Sequence, residues 1–187
     1  MDAEKKLLRR EMRLKLQAAL PERAARSVEL RAKIEALPQW QTARSIALFF
    51  PLAEEPDLLE LLSDKTKRFV FPCVCAAGME WREAREPSEF RERTFLGSRS
   101  LYEPTEGKEV VLNEIDIIIV PGLVFTLDGK RLGRGGGYYD RALAELREDA
   151  LSVGVCFGFQ LLETLPTELH DKPVHLVLHS SPSGIVV

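Results

Sequence analysis

With 187 residues, 45% hydrophobic and 29% charged, the chain has the length and balance of one ordinary globular domain, taken as 1–187. A formal net charge of −3 gives no electrostatic footprint for nucleic acid, and no apolar run approaches the ~20 residues needed to cross a bilayer. Cys73, Cys75 and Cys156 are too sparse for a disulfide framework, and with no apolar stretch behind the first charged residues the cytoplasm is the expected compartment.

Leu8, Met12, Leu16 and Ala19 recur at helical spacing and predict a first helix, with Lys5, Arg9 and Arg13 on another face. Pro21 marks a break. A second helix carries Leu30, Ile34 and Leu37 inward until Pro38 ends it. From there short apolar runs alternate with polar or Gly/Pro segments. Ser45 to Phe50 reads as a buried strand closed by Pro51, and Asp57 to Leu62 as a short leucine-rich helix. Arg68 to Phe71 predicts a second strand and Glu80 to Arg85 a third. Cys73 and Cys75 read as small buried strand residues, because no second pair or spaced histidine completes a tetrahedral metal site. The polar, arginine-rich stretch from Pro87 to Gly107 reads as an irregular excursion near the site. Ile115 to Val120 is the plainest strand, ending at Pro121 and Gly122. A helix follows over Gly137 to Leu146, then strands over Leu151 to Phe157 and Val174 to Leu178. Continuous apolar strands alternating with helices predict an α/β fold whose mostly parallel sheet is covered on both faces.

The segment Gly129-Lys-Arg-Leu-Gly-Arg-Gly-Gly-Gly-Tyr-Tyr-Asp-Arg141 is the most informative. Its glycines allow positive φ and close approach of backbone N–H groups to an anion. A helix starting behind it adds the positive end of a dipole, and Lys130, Arg131 and Arg134 add cations. Together these meet the needs of a triphosphate. A Walker A loop is excluded, because no Gly-Lys-Ser or Gly-Lys-Thr occurs. A dinucleotide fingerprint is excluded too: counted from Gly133, its third glycine position is Tyr138. Flexible linkers rarely run straight into aromatics at a helix start, so Tyr138, Tyr139 and Asp140 argue against a mere mobile turn.

The run R-L-G-R-G-G-G-Y-Y-D, preceded by P-G-L-V-F and D-G-K, resembles the signature of the 5-formyltetrahydrofolate cyclo-ligases, also called methenyltetrahydrofolate synthetases. The resemblance extends from Lys5 to about His175. It implies a Rossmann-like three-layer α/β/α sandwich with an N-terminal helical segment. It also implies ATP as co-substrate, magnesium as metal and 5-formyltetrahydrofolate as substrate, with no nucleic-acid or membrane partner and a monomer or weak homo-oligomer. By the same resemblance Lys5 and Arg9 bind the ATP phosphates, with Lys6 and Arg10 offering the same spacing. Arg131, Leu132, Gly133, Arg134, Gly135, Gly136, Gly137, Tyr138 and Tyr139 form the ATP segment. Within it Arg134 to Tyr138 also meet the folate, and Arg134 and Tyr138 are the catalytic candidates.

Glu55, or the adjacent Glu54, corresponds to the glutamate that binds the pterin, and Phe50 to an apolar substrate contact. Asp140 and Asp171 correspond to magnesium ligands. Two departures stand out. Gly136 occupies a position that is Lys in some members, and His175 stands where an acidic residue is usual. His170, His175 and His179 lie in strand and loop settings that do not suggest a zinc cluster. The implied chemistry is phosphorylation of the formyl oxygen by ATP, then attack by N10, without a protein nucleophile. A small-molecule kinase with an unusual phosphate loop and a non-catalytic binding module are the competing classes. The first would release a stable phosphorylated product; the second would be expected to lack Asp140, Asp171 or the Lys/Arg pair.

Overall fold

The computed structural model describes residues 2–75, 78–95 and 99–181. The chain begins with three helices, α1 (Asp2–Ala18), α2 (Arg23–Glu35) and α3 (Pro38–Thr42). Met12 and Leu16 of α1 are buried and Leu8 packs beside them, as their spacing requires. Leu30 and Ile34 of α2 join the same core. Pro38 does more than end α2: it is the first residue of α3, preceded by Leu37 in an extended conformation (ψ 132°). That is what a residue before proline adopts, and proline's fixed φ suits the first helical position.

Strand β1 (Ser45–Ala47) follows, then β2 (Arg68–Cys75) and β3 (Gly78–Glu83). The run to Phe50 is therefore only half strand, because the chain turns away after Ala47 to form a long loop. The expected leucine-rich helix is a 3-10 segment over Leu59–Ser63. The described part of the stretch from Pro87 to Gly107 is not irregular, for β4 (Phe90–Phe95) and β5 (Arg99–Pro104) pair as an antiparallel hairpin. Next come β6 (Ile117–Val120), the short hairpin of β7 (Val124–Phe125) and β8 (Arg131–Leu132), and helix α4 (Tyr138–Glu145). The chain then forms β9 (Leu151–Cys156) and β10 (Leu176–His179).

The main sheet has the order β10-β9-β6-β1-β2-β3, parallel throughout except for the antiparallel β2–β3 edge. Alternation along each strand divides its side chains between two cores. Ile117 and Ile119 pack with the α1–α3 residues, whereas Ile118 and Val120 pack with Ala142 and Leu143 of α4. The result is a three-layer α/β/α arrangement. Cys73 is buried, its thiol pushed up to about 11 chiefly by that burial, and Cys75 is half-buried.

From β1 the chain moves outward to β2, and from β6 it moves the other way to β9 and β10. The strand order therefore reverses between β1 and β6. Loops leaving the carboxyl ends of two such strands diverge and open a crevice, the general ligand position in open α/β sheets.

Candidate active site

Both informative loops leave that reversal point. The loop after β1 carries Phe50, Glu54 and Glu55; the chain after β6 passes through the β7–β8 hairpin into the glycine run and α4. Gly135 (φ 107°) and Gly137 (φ 65°) adopt left-handed conformations, which side chains disfavour. Gly137 is the N-cap of α4, so the run bends sharply and then presents the first turn of a helix. Gly136 faces the Tyr138 ring so closely that a Cβ there would lie 2.7 Å from it. The ring fills the space into which a larger residue would project.

Helix α1 lies over this segment. Arg9 Nε donates to the Gly133 carbonyl at 3.0 Å, and its guanidinium is 3.8 Å from where a Gly135 Cβ would stand. One turn earlier Lys5 Nζ donates to Asp171 at 2.7 Å and Glu168 at 3.1 Å, with only 5% of the residue exposed. Arg9 is thus turned toward the glycine run and Lys5 toward Glu168 and Asp171, while Lys6 and Arg10 are on the exposed side.

The other cations also meet carboxylates. Arg131 Nη2 donates to Asp140 Oδ1 at 2.8 Å, and the Lys172 backbone N–H reaches the same oxygen at 3.1 Å. Arg134 donates to Glu55 from Nε and to Glu54 from Nη2, each at 3.0 Å. Glu55 is buried; its second oxygen accepts from Leu52 N–H at 3.0 Å, and Arg23 Nε donates to its carbonyl at 2.7 Å. Phe50 is half-buried and stacks on Tyr102 (4.8 Å, 24°), with Phe90 of the β4–β5 hairpin also 4.8 Å away. Arg141 covers the Tyr138 ring at 4.9 Å.

Leu132 enters only through its backbone, since its side chain is in the core and its carbonyl accepts from Leu123 N–H at 2.8 Å. The Tyr139 hydroxyl is buried with no hydrogen-bond partner among the described residues. Burial, and then the charge of Glu55, push its pKa far above the ordinary value of 10.

Asp140 and Asp171 share a neighbourhood, because the residue that donates to Asp140 is Lys172, next to Asp171. Asp140 Oδ2 and Asp171 Oδ1 accept no hydrogen bond among the described residues, and both are hard oxygen donors. Glu168, His170 and Asp171 also bring ligand atoms within 4.8 Å of one another. The carboxylate oxygens of Asp140, Glu168 and Asp171 are of the donor type that a magnesium ion takes. His175 does not join them: its Nδ1 faces the Ser152 hydroxyl at 2.9 Å and accepts the Ser152 N–H. Glu168 is the residue that sequence reasoning missed. Its one signal was its place three residues before Asp171.

Comparison with known proteins follows the same lines. The 5-formyltetrahydrofolate cyclo-ligase family profile matches residues 1–180. The mouse 5-formyltetrahydrofolate cyclo-ligase is 28% identical over 198 residues, covering 98% of each chain. That of Mycolicibacterium smegmatis is 32% identical over 166 residues, covering 81% of this chain and 84% of its own. Among solved structures, the Aquifex aeolicus 5,10-methenyltetrahydrofolate synthetase superposes with a TM-score of 0.79 at 31% identity, covering 94% of this chain and 89% of that one. A Mycoplasma pneumoniae 5,10-methenyltetrahydrofolate synthetase (TM-score 0.72, 24% identity, 93% and 97% covered) shares the fold. With a profile match over nearly its whole length and relatives on either side of 30% identity that cover 81% or more of it, the chain belongs to the 5-formyltetrahydrofolate cyclo-ligase family.

Proposed function

We propose that this protein converts 5-formyltetrahydrofolate to 5,10-methenyltetrahydrofolate, with cleavage of ATP to ADP and phosphate. The observation that carries the reading is the meeting of a phosphate-type glycine run with the Glu54–Glu55 loop through Arg134. One guanidinium there touches both the segment suited to a triphosphate and the carboxylate suited to a pterin.

The N5-formyl group is an amide, so its carbon is a poor electrophile and its oxygen a poor leaving group. Its oxygen attacks the γ-phosphorus of ATP; the O–P bond forms and the bond to ADP breaks. N10 of the same folate then attacks the activated carbon, N10 loses its proton, and phosphate departs with the former formyl oxygen. The second step is intramolecular and is favoured by proximity. The first calls for positioning and charge stabilisation. Lys5, Arg9, Arg131 and Arg134 hold the phosphates, with the backbone N–H groups of Gly133 to Tyr139 around them. Glu55 accepts the amino and ring N–H groups of the pterin, and Phe50 offers it an apolar face. Magnesium held by Asp140 and Asp171 would offset charge on the phosphate oxygens. We place the enzyme in the cytoplasm as a monomer or weak homo-oligomer acting on small molecules.

The test is spectroscopic. The purified protein is mixed with 5-formyltetrahydrofolate, ATP and magnesium, and the near-ultraviolet band of the methenyl product is followed. A rise that needs both ATP and magnesium is expected. A flat trace from folded protein that binds ATP would sink the reading.

A further inference from the structure

Glu54 has no part in the mechanism above, yet it holds one end of the guanidinium on which that mechanism turns. Arg134 Nη2 lies 2.9 Å from Glu55 Oε1 and 3.0 Å from Glu54 Oε1. Arg134 Nε donates to the same Glu55 oxygen at 3.0 Å. The other oxygen of Glu55 is engaged by Leu52 N–H. Both faces of the Glu55 carboxylate are therefore in use, one by backbone and one by Arg134.

A ligand that needs Glu55 as a paired acceptor has to compete with Arg134 for Oε1. A guanidinium displaced in a half-buried site, its side chain 21% exposed, needs another partner at once. Two such partners are at hand in principle: the phosphates of a bound nucleotide, and Glu54. Only Glu54 is present when no nucleotide is bound.

We propose that Glu54 is a positioning residue that retains Arg134 in the site when the pterin takes Glu55. The proposal rests on the assignment of Glu55 to the pterin and Arg134 to phosphate. Its signature is conditional. Without Glu54, folate binding forces Arg134 off its last carboxylate unless a triphosphate is there to receive it.

The experiment measures the affinity of full-length protein for 5-formyltetrahydrofolate by calorimetry, alone and with a saturating non-hydrolysable ATP analogue and magnesium. Glu54→Gln is expected to weaken folate binding by about 10-fold in the absence of the analogue, the scale of one charge-assisted hydrogen bond. With the analogue bound, affinity should return to within about 3-fold of the unmodified protein, since phosphate replaces the lost carboxylate. Equal weakening under both conditions, or none under either, overturns the proposal. A second arm repeats the substitution in an Arg134→Gln background, where there is no guanidinium to retain. There Glu54→Gln should change folate affinity less than about 2-fold; a full effect would make Glu54 a direct ligand and end the argument. Unmodified protein that binds no 5-formyltetrahydrofolate would instead remove the functional reading on which the proposal rests.

Discussion

Lys5 and Asp171, 166 positions apart, close a 2.7 Å ion pair that fastens helix α1 to the loop before β10. Burial opposes the charge on each. For Lys5 it is outweighed by hydrogen bonds to Asp171 and Glu168, which hold the amine above 10.5. For Asp171 it is outweighed by Lys5 and the Glu168 N–H, which hold the carboxyl below 3.8. Asp171 has a depressed folded pKa, so its contribution is present above 3.8 and is lost as pH falls through the folded value. Lys5 has a raised one, so its contribution is complete below 10.5 and lost as pH rises through the folded value. The melting-temperature gap between the natural protein and Lys5→Met should be flat from about pH 5 to 9 and narrow at both extremes. A gap that varies through neutrality would contradict this pairing.

Arg134 meets Glu55 through Nε and Nη2 and Glu54 through Nη2, a planar two-nitrogen contact that the single nitrogen of an ammonium cannot reproduce. Arg134→Lys should lower kcat/KM by about 100-fold, nearly as much as Arg134→Ala. Steady-state methenyl formation with each variant decides it, and near-normal activity in the Lys variant would show that only charge matters.

Two glycines separate strain from collision. Gly137→Ala places a side chain at φ 65° and should cost about 1 kcal/mol. Gly129→Ala combines φ 89° with a Cβ only 2.1 Å from the Val174 carbonyl oxygen and should cost about 3 kcal/mol or more. Urea denaturation of the two variants should rank them in that order.

The Tyr139 hydroxyl sits buried and unpartnered among the described residues. Tyr139→Phe should leave the melting temperature unchanged or raise it, because a desolvated group costs about 1–3 kcal/mol. The alkaline limb of the rate profile should keep its position, since burial holds this phenol well above its ordinary range. A shifted limb in the Phe variant would give the hydroxyl an acid–base role.

Phe50 stacks on Tyr102 and is half-buried. Phe50→Ala should raise KM for the folate by about 10-fold and leave KM for ATP within about 2-fold. Equal effects on both would place Phe50 in general packing.

The sequence carried the fold wherever the physics is local. Ile117 to Val120 is apolar on both sides because both faces of its strand are covered, and Met12 and Leu16 are spaced as a helix demands. The β4–β5 hairpin was illegible for the opposite reason. Arg91, Glu92, Arg93 and Thr94 are all exposed, so no two-residue alternation marks them. Phe90 against Phe71, and Glu103 accepting from Val74 N–H, hold the hairpin in place through tertiary contacts. The glycine run stood out as a motif because its residues are contiguous. The partners of its neighbours did not, because Lys5–Glu168 and Arg134–Glu54 join residues 163 and 80 positions apart.

Helix α1 meets the rest of the fold partly through Lys5, which pairs with Asp171 and Glu168, and Arg9, which reaches the glycine run. On the proposed function, the grip of the helix on the fold and the grip of the site on a triphosphate are one quantity measured from two ends. A molecule that bridges Lys5 and Arg9 to the run becomes a rivet through α1. Slowed amide exchange along the amino-terminal turns would then report occupancy as directly as any assay of the product.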